Sequence, residues 1–402
     1  MPAPCGKTDG PAMNSRLPSP GAEVIEASPH LGHALAADSD PLMLVDTDYD
    51  VVIAGASFAG LAVGLNLAGR HVVLIDSAPL GEGVTSACAA PVSIVDAMHA
   101  QSSILQVHDH LMLHTSNSEA VWPLPEPFCT FDYRQLCRAA FAATGAEFVQ
   151  ARVSGRRAHT VQTTSGELGG HILVDATGWR AALAGGSAAA YVDRRWMAFG
   201  IESEVEYTLD GGLHFYFLPE VRDGYAWAFP AAGRVRFGVL SYRGRTKLGA
   251  ALATFMGRFG LKPGSVHGGF LASGLREPVV DGVFVVGDAS GHCLPLTGEG
   301  IRTAVLGGLQ CGQLVRRVVA GQISSTQAAR YYRDFTNRSG RKFRALLWGN
   351  GALLALPSSA VGQLAKCFSR PHPLRVFMRP YLSVFADVLS PSDLHSLNTE
   401  SS

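Results

Sequence analysis

Lysine is scarce in this chain. Five of its 33 basic residues are Lys, at 7, 247, 262, 342 and 366, and the rest are Arg. That bias, with the 45 glycines, reads as genomic composition rather than function. Excess charge is missing too: Lys+Arg and Asp+Glu are 33 each, which argues against a dedicated nucleic-acid binder. The seven cysteines (5, 88, 129, 137, 293, 311, 367) form no CxxC pair and no regular framework. Such a scattered, odd set gives no metal-ligand pattern and suits a reducing cytoplasm better than a disulfide-stapled fold. No stretch approaches the roughly 20 apolar residues of a membrane-spanning helix. The best candidate, ALLWGNGALLALP, is too short and carries Asn350. Residues 1–46 lack a basic start followed by a continuous apolar core, so they do not read as a signal peptide. Their Pro, Ala, Ser and Gly content predicts a disordered or extended segment.

What is present is a globular composition of 402 residues, 47% hydrophobic and 16% charged, enough for one large domain or two. Order begins at Tyr49, where YDVVIAGASFAGLAVGLNLAGRHVVLIDSAP reads as strand, glycine turn, helix, strand. Val51 to Ala54 are apolar without interruption, as a parallel strand buried on both faces should be. Gly55, Ala56, Ser57, Phe58, Ala59 and Gly60 follow the GxGxxG pattern with Ser at the middle glycine. The first glycine permits the tight turn, and the last lets the helix pack close to the sheet. The helix start offers free N–H groups to a pyrophosphate. The second strand ends at Asp76 and Ser77, with the carboxylate placed for ribose hydroxyls, about 20 residues after Gly55.

Two later segments extend this pattern. HILVDATG (His171 to Gly178) is a strand entering an Ala-Thr-Gly turn. VFVVGDASGHCLPLTGEGIRTAV (Val283 to Val305) is a strand ending in Gly287-Asp288, then a punctuated loop, then a helix starting near Gly298, Gly300 and Ile301. In Rossmann-type flavoenzymes the Asp of such a pair meets the ribityl chain, and the helix start faces the flavin's pyrimidine edge. Three such segments in this order imply FAD.

Leu213 to Leu218, Tyr225 to Phe229 and Arg234 to Tyr242 alternate and are separated by turn-prone PEVRDG and AAG, which predicts an antiparallel meander. Alternation puts Tyr225, Trp227 and Phe229 on one face and Ala226 and Ala228 on the other. Those aromatics either pack against a helix layer or wall an apolar tunnel.

On these motifs the sequence resembles the geranylgeranyl reductase family of FAD-dependent oxidoreductases, kin to the lycopene cyclases and flavin halogenases. The resemblance covers roughly Tyr49 to Val315. It rests on GD-x-S-G-x-x-x-PLTGEGI (Gly287 to Ile301) and on Tyr225-Ala-Trp227-Ala-Phe229-Pro230, which matches the family's YxWxFP signature. Gly238 stands where the following GxG begins, and Leu240 replaces its second glycine. The resemblance implies an α/β fold: a Rossmann-type FAD-binding fold with an inserted antiparallel substrate sheet and a helical C-terminus. It implies cofactor contacts at Ser57, Ala59, Gly60 and Asp76, at Cys88 and Ala89, at Arg134 in FDYRQL, at Val153, and at Asp288, Gly300 and Ile301. It favours the tunnel for Tyr225, Trp227 and Phe229, and a place for Cys88 beside the flavin as a candidate proton donor.

Among the relatives, aromatic hydroxylases carry a His where Gly291 stands, with His292 one place later. Halogenases need a relay Lys, and none occurs between Lys7 and Lys247. Two readings lead: reduction of isolated double bonds in a prenyl or other isoprenoid substrate, and a lycopene-cyclase-like non-redox cyclisation. A flavin monooxygenase acting on an apolar intermediate ranks third. No second GxGxxG occurs, so the electron donor is expected to be transient, NADPH or a ferredoxin. From Arg330 to Arg379 ten basic residues face one acid, Asp334, with apolar residues between. That pattern suits either a peripheral membrane contact or a helical cap over the cavity.

The expected organisation is an FAD-binding domain from 47–95, 128–185 and 275–320. Residues 96–127 and 186–274 would form a substrate domain, and 321–395 a helical region. The expected setting is cytoplasmic, with or without that peripheral membrane contact.

Overall fold

The computed structural model describes residues 48–187, 191–386 and 388. The extension expected over 1–46 and the end of the helical region expected to reach 395 lie outside them.

Tyr49–Ala54 is the central strand of the first sheet, and Val51 to Ala54 are completely buried. It pairs in parallel with Val72–Asp76 on one side and Gly166–Asp175 on the other. Glu147–Gln150 extends the sheet beyond Val72–Asp76, and Val283–Val285 extends it beyond Gly166–Asp175. All of these pairings are parallel, so the strands' C-terminal ends gather along one edge. In open sheets of this kind that edge is where ligands bind. The crossover helix Phe58–Leu65 packs on the long helix Ile301–Val319. Their backbones touch because the contact side of the long helix is glycine. A Cβ at Gly308 would stand 2.5 Å from the Ala59 carbonyl oxygen.

The second sheet runs in the order Val266–Ala272, Met197–Glu206, Arg234–Ser241, Gly224–Ala231, Leu213–Phe217, Ile104–Thr115, Glu119–Phe131, Ala89–Pro91. The expected meander is its centre, with Gly224–Ala231 antiparallel to both Leu213–Phe217 and Arg234–Ser241. Its back face is filled by Ala226, Ala228, Val235, Phe237 and Val239 packed on Leu252, Phe255 and Met256 of the helix Leu248–Gly257. The two alanines leave room for that helix. Its front face carries the aromatics toward the first sheet's ligand edge.

The sheets divide the chain differently from the sequence reading in one place. Ala89–Pro91 and the end of Glu119–Phe131, expected within the nucleotide-binding part, pair with each other in the second sheet. The backbone after Asp76 therefore leaves the first sheet at the ligand edge and joins the other wall.

Three helices follow the long one: Ser325–Leu353, Ser358–Phe368 and Pro371–Leu382. The first has a complete capping box, Ser324 and Gln327 each satisfying the other's backbone N–H. The second lies on the hairpin of the second sheet, where Trp122 Nε1 donates to Ala365 O at 2.8 Å.

Candidate active site

One cavity of about 1330 Å³ opens between the ligand edge of the first sheet, the front of the second and the C-terminal helices. Ordinary ligand pockets hold about 300–1,000 Å³, so this one has room for a dinucleotide and a second molecule.

Its polar end is built by turns. Gly55 sits at φ +107, a conformation that a side chain would strain. A Cβ at Gly60 would meet the Gly55 carbonyl oxygen at 1.9 Å, so Gly60 lets helix and turn close on each other. The helix start beside them has no capping side chain: Ser57 is the N-cap, and its hydroxyl accepts from Tyr133 Oη at 2.9 Å instead. Asp76 accepts from Ala56 N at 2.9 Å and Ala78 N at 3.1 Å, bracing this turn from the next strand. Opposite, Asp288 accepts from Ala272 N at 3.3 Å, and burial pushes its carboxyl up to about 6. The helix Ile301–Val319 starts at Gly300, again without a capping side chain. Two uncapped helix starts thus face one cavity, each offering N–H groups and a positive dipole end to an anionic ligand.

Its apolar end is the front of the second sheet. Tyr225, Trp227 and Phe229 stand in line, and Phe215 closes on Tyr225 at 5.5 Å and on Phe229 at 5.2 Å between ring centroids. Trp227 lies over Gly238, its partner across the strand pair, where a Cβ would fall 2.0 Å from the indole. Tyr225 donates to Thr297 O, tying this wall to the loop before Gly298. Burial pushes the Tyr225 hydroxyl up, so it stays protonated. Leu353, Leu356, Val361, Leu364 and Phe368 of the C-terminal helices complete the apolar lining.

No protein-family model matches the chain. It is similar to digeranylgeranylglycerophospholipid reductase 2 of Methanothermobacter thermautotrophicus, 29% identical over 201 residues, 44% of this chain and 51% of that one. The chain spans about half or less of the length of the curated reductases it matches. In structure it is similar to a geranylgeranyl bacteriochlorophyll reductase-like protein from Thermoplasma acidophilum. That likeness has a TM-score of 0.73 at 18% identity and covers 85% of this chain and 99% of that one. Both likenesses are to proteins named as geranylgeranyl-type reductases, and the structural one, at 18% identity, shows the fold. The flavin-dependent brominase Bmp2 shares the fold at a TM-score of 0.62 and 16% identity, over 83% of this chain and 92% of that one.

The residues at the polar end of the cavity fit the FAD that the sequence motifs imply. The tight Gly55–Gly60 turn, the two uncapped helix starts and the two strand-end carboxylates, Asp76 and Asp288, form a cradle for a long, doubly anionic ligand. Gly55, Ser57, Ala59, Asp76, Ser77, Cys88, Ala89, Val153, Asp288, Gly298, Gly300 and Ile301 all line the cavity, with Tyr225, Trp227 and Phe229.

Two expected cofactor contacts do not line it. Gly60 is buried beneath the turn, where it serves packing. Arg134 pairs at 2.7 Å with Glu82 on the cavity rim, and the side chain that lines the cavity is its neighbour Tyr133. Asp132 caps that helix through Gln135 N at 2.8 Å, which fixes which residue of FDYRQL points inward. Cys88 sits at φ +51, almost wholly buried; its thiol donates to Ser86 O at 3.3 Å, and burial pushes its pKa up. His292 is fully buried against Phe385 outside the cavity lining, and burial pulls its imidazole down to about 3.

Sequence reasoning missed three supports. Arg236, buried, donates to the carbonyls of Ala87, Cys88 and Phe131 and holds the Cys88 loop from below. Its signal was an arginine sharing the face of Gly238 and Leu240 in an apolar strand. Asp175 of the DATG turn accepts from the N–H groups of Thr177, Leu183 and Ala184, so it organises the loop rather than meeting ligand. Glu299 pairs with Arg302 at 2.8 Å and accepts from Tyr381, linking the loop after Asp288 to the last helix.

Proposed function

We propose that this protein reduces isolated double bonds of a prenyl or other isoprenoid lipid with reduced FAD. The observation that carries the reading is the shared cavity. A dinucleotide cradle and an aromatic wall of Tyr225, Trp227, Phe229 and Phe215 face the same space, with an aliphatic roof above. FAD, when bound and reduced, would supply the hydride for a carbon–carbon double bond.

The chain's own residues do the rest. An isolated alkene has no carbonyl to take up negative charge, so a proton must arrive with or before the hydride. The positive character that develops on carbon is then met by ring faces, which attract cations by about 0.5–2 kcal/mol each. The apolar lining excludes water, which would otherwise trap that carbon as an alcohol. Cys88, Tyr225, Trp227 and Phe229 are the proposed reaction walls. Ser57, Ala59, Asp76 and Asp288 would hold the cofactor with the two helix starts, and Gly298 to Ile301 would face its ring.

The roof is also the proposed entrance. Trp348 is 83% exposed and Val376 61%, and Leu356 and Leu364, which line the cavity, are themselves exposed. Arg338, Arg341, Arg344, Lys366, Arg370, Arg375 and Arg379, on or next to the same helices, are all exposed. Among the described residues no helix is long and apolar enough to cross a membrane. Contact with a lipid surface would therefore be peripheral, delivering the prenyl chain between the helices, with electrons coming from a transient donor such as NADPH or a ferredoxin.

Incubating the FAD-loaded protein, chemically reduced, with a geranylgeranyl lipid tests this reading. The product should gain two hydrogens per bond saturated. A product isomeric with its substrate would replace reduction by cyclisation, and one gaining oxygen would make the protein a monooxygenase.

A further inference from the structure

Glu202 is a carboxylate built into the apolar wall, 3% exposed, on the cavity side of Met197–Glu206. The other carboxylates lining the cavity are committed elsewhere. Asp76 and Asp288 accept backbone N–H groups, Glu82 pairs with Arg134, and Glu299 pairs with Arg302. Glu202 accepts from Trp227 Nε1 at 2.7 Å, and its second oxygen lies 3.4 Å from His267 Nε2.

The register explains how these three meet. Glu202 is paired with His267 on one side and with Gly238 on the other, and Gly238 with Trp227. All four stand in one row across the sheet. Because Gly238 has no side chain, the Trp227 indole crosses its place and reaches Glu202. His267 spans the wall: its Nε2 is shut from water, while the side chain as a whole is 31% exposed. The row therefore runs from solvent through an imidazole and a buried carboxyl to the ring that lines the reaction space.

We propose that Glu202 is the acid that delivers a proton into the cavity, and that His267 is the positioning residue that resupplies it from solvent. This deepens the reductase reading and rests on it. Saturating one double bond consumes its π pair and forms two C–H bonds. The hydride with its electron pair comes from reduced flavin, itself reduced by an external donor, and the proton comes from the Glu202 carboxyl. Glu202 is left as a carboxylate and regains a proton passed from water through the His267 ring. Besides His267, the groups facing Glu202 are the Arg236 guanidinium and the Cys88 thiol from the neighbouring strand and loop. Arg236 is held by Glu204 at 2.8 Å and by three carbonyls. Cys88 is the poorer donor, since its thiol proton already goes to Ser86 O at 3.3 Å.

The test separates chemistry from scaffolding. In Glu202→Gln the amide oxygen still accepts from Trp227, so the wall keeps its shape, but no acidic proton remains. With FAD-loaded enzyme and a geranylgeranyl lipid, kcat should fall about a hundredfold or more, while KM and the flavin spectrum stay within about twofold. His267→Ala should lower kcat less, and added imidazole should restore it. Without substrate, infrared spectra of the FAD-loaded protein should show a protonated-carboxyl band that Glu202→Gln removes and whose exchange into heavy water His267→Ala slows. An active wild type with an equally active Glu202→Gln would overturn the proposal. A wild type inactive on prenyl lipids would instead sink the reductase reading. The infrared band would then decide alone, its survival in Glu202→Gln refuting the relay and its loss supporting it.

Discussion

At Gly238 a hydrogen in place of a side chain fixes the whole arrangement of Trp227, Glu202 and His267. The neighbouring signature position, Leu240, departs from glycine without harm, because it faces Tyr225 and simply lines the cavity. The aromatic row was legible in the sequence because strand alternation alone sorts residues onto faces. Glu202 and Arg236 were not, because their partners come from strands and loops far away in the chain, and register is decided by tertiary pairing. Cys88 was legible as a cavity residue, but its positive φ and buried thiol were not. Asp288 makes a prediction at this scale. Its pKa is raised by burial from the usual carboxylate value to about 6. Below the unfolded value both states hold the proton; above it the unfolded chain ionises first, so stability is lost as pH rises toward 6. In FAD-free protein, Asp288→Asn should therefore gain relative to wild type between about pH 4 and pH 6. The gain should be about 2 kcal/mol, since the carboxyl also meets the open cavity. Urea melts across that range would show it, and parallel curves would mean that the carboxyl ionises freely.

Among the elements, the first strand, its glycine turn and the following helix read correctly because each obeys a local rule: continuous apolar burial, an uncapped helix start, an acid at the next strand's end. The hairpin Ile104–Thr115 and Glu119–Phe131 was not read as strands. Its sequence is broken by Pro123, Pro125 and Pro127, which argue against a central strand. These prolines fall on a stretch whose far side carries no strand, since Ala89–Pro91 pairs only with Phe128, Cys129 and Thr130. The missing N–H groups therefore cost no ladder bond there. The contact between Phe58–Leu65 and Ile301–Val319 yields a second prediction. Gly308→Val must push the long helix off the Ala59 carbonyl, now 2.5 Å from where the Cβ would be. Overpacking of this kind costs about 1–3 kcal/mol, and because the helix bearing Ser57 and Ala59 moves, FAD should be lost as well. Gly340→Ala, in a helix where the added Cβ meets nothing within 4 Å, should be neutral or stabilising. Melting temperature and flavin content of the two purified variants check this; equal FAD retention would detach the helix contact from the cofactor site.

For the whole molecule, the basic and apolar C-terminal stretch supplies the cap that the sequence offered as one reading. Its helices do cap the cavity, through Leu353, Val361 and Phe368, while its charges and Trp348 face outward. Cavity lining and exposed charge are carried by the same helices, which periodicity alone could not show without knowing what they cover. Binding to anionic vesicles should accordingly weaken as salt rises, since exposed charges act through a Debye length of about 8 Å at 0.15 M. Trp348→Ala should weaken it further at every salt concentration. Vesicle co-sedimentation reads both effects, and salt-insensitive binding would leave the helices as a cap alone.

The joining of cofactor cradle and aromatic wall in one cavity is tested most directly by the colour of the flavin in the absence of oxygen. Protein reduced to its colourless form under anaerobic conditions should turn yellow again when a geranylgeranyl lipid is added, one flavin reoxidised for each double bond saturated. A flavin that stays reduced while the lipid is converted to an isomer, or a lipid that changes nothing, would contradict the account.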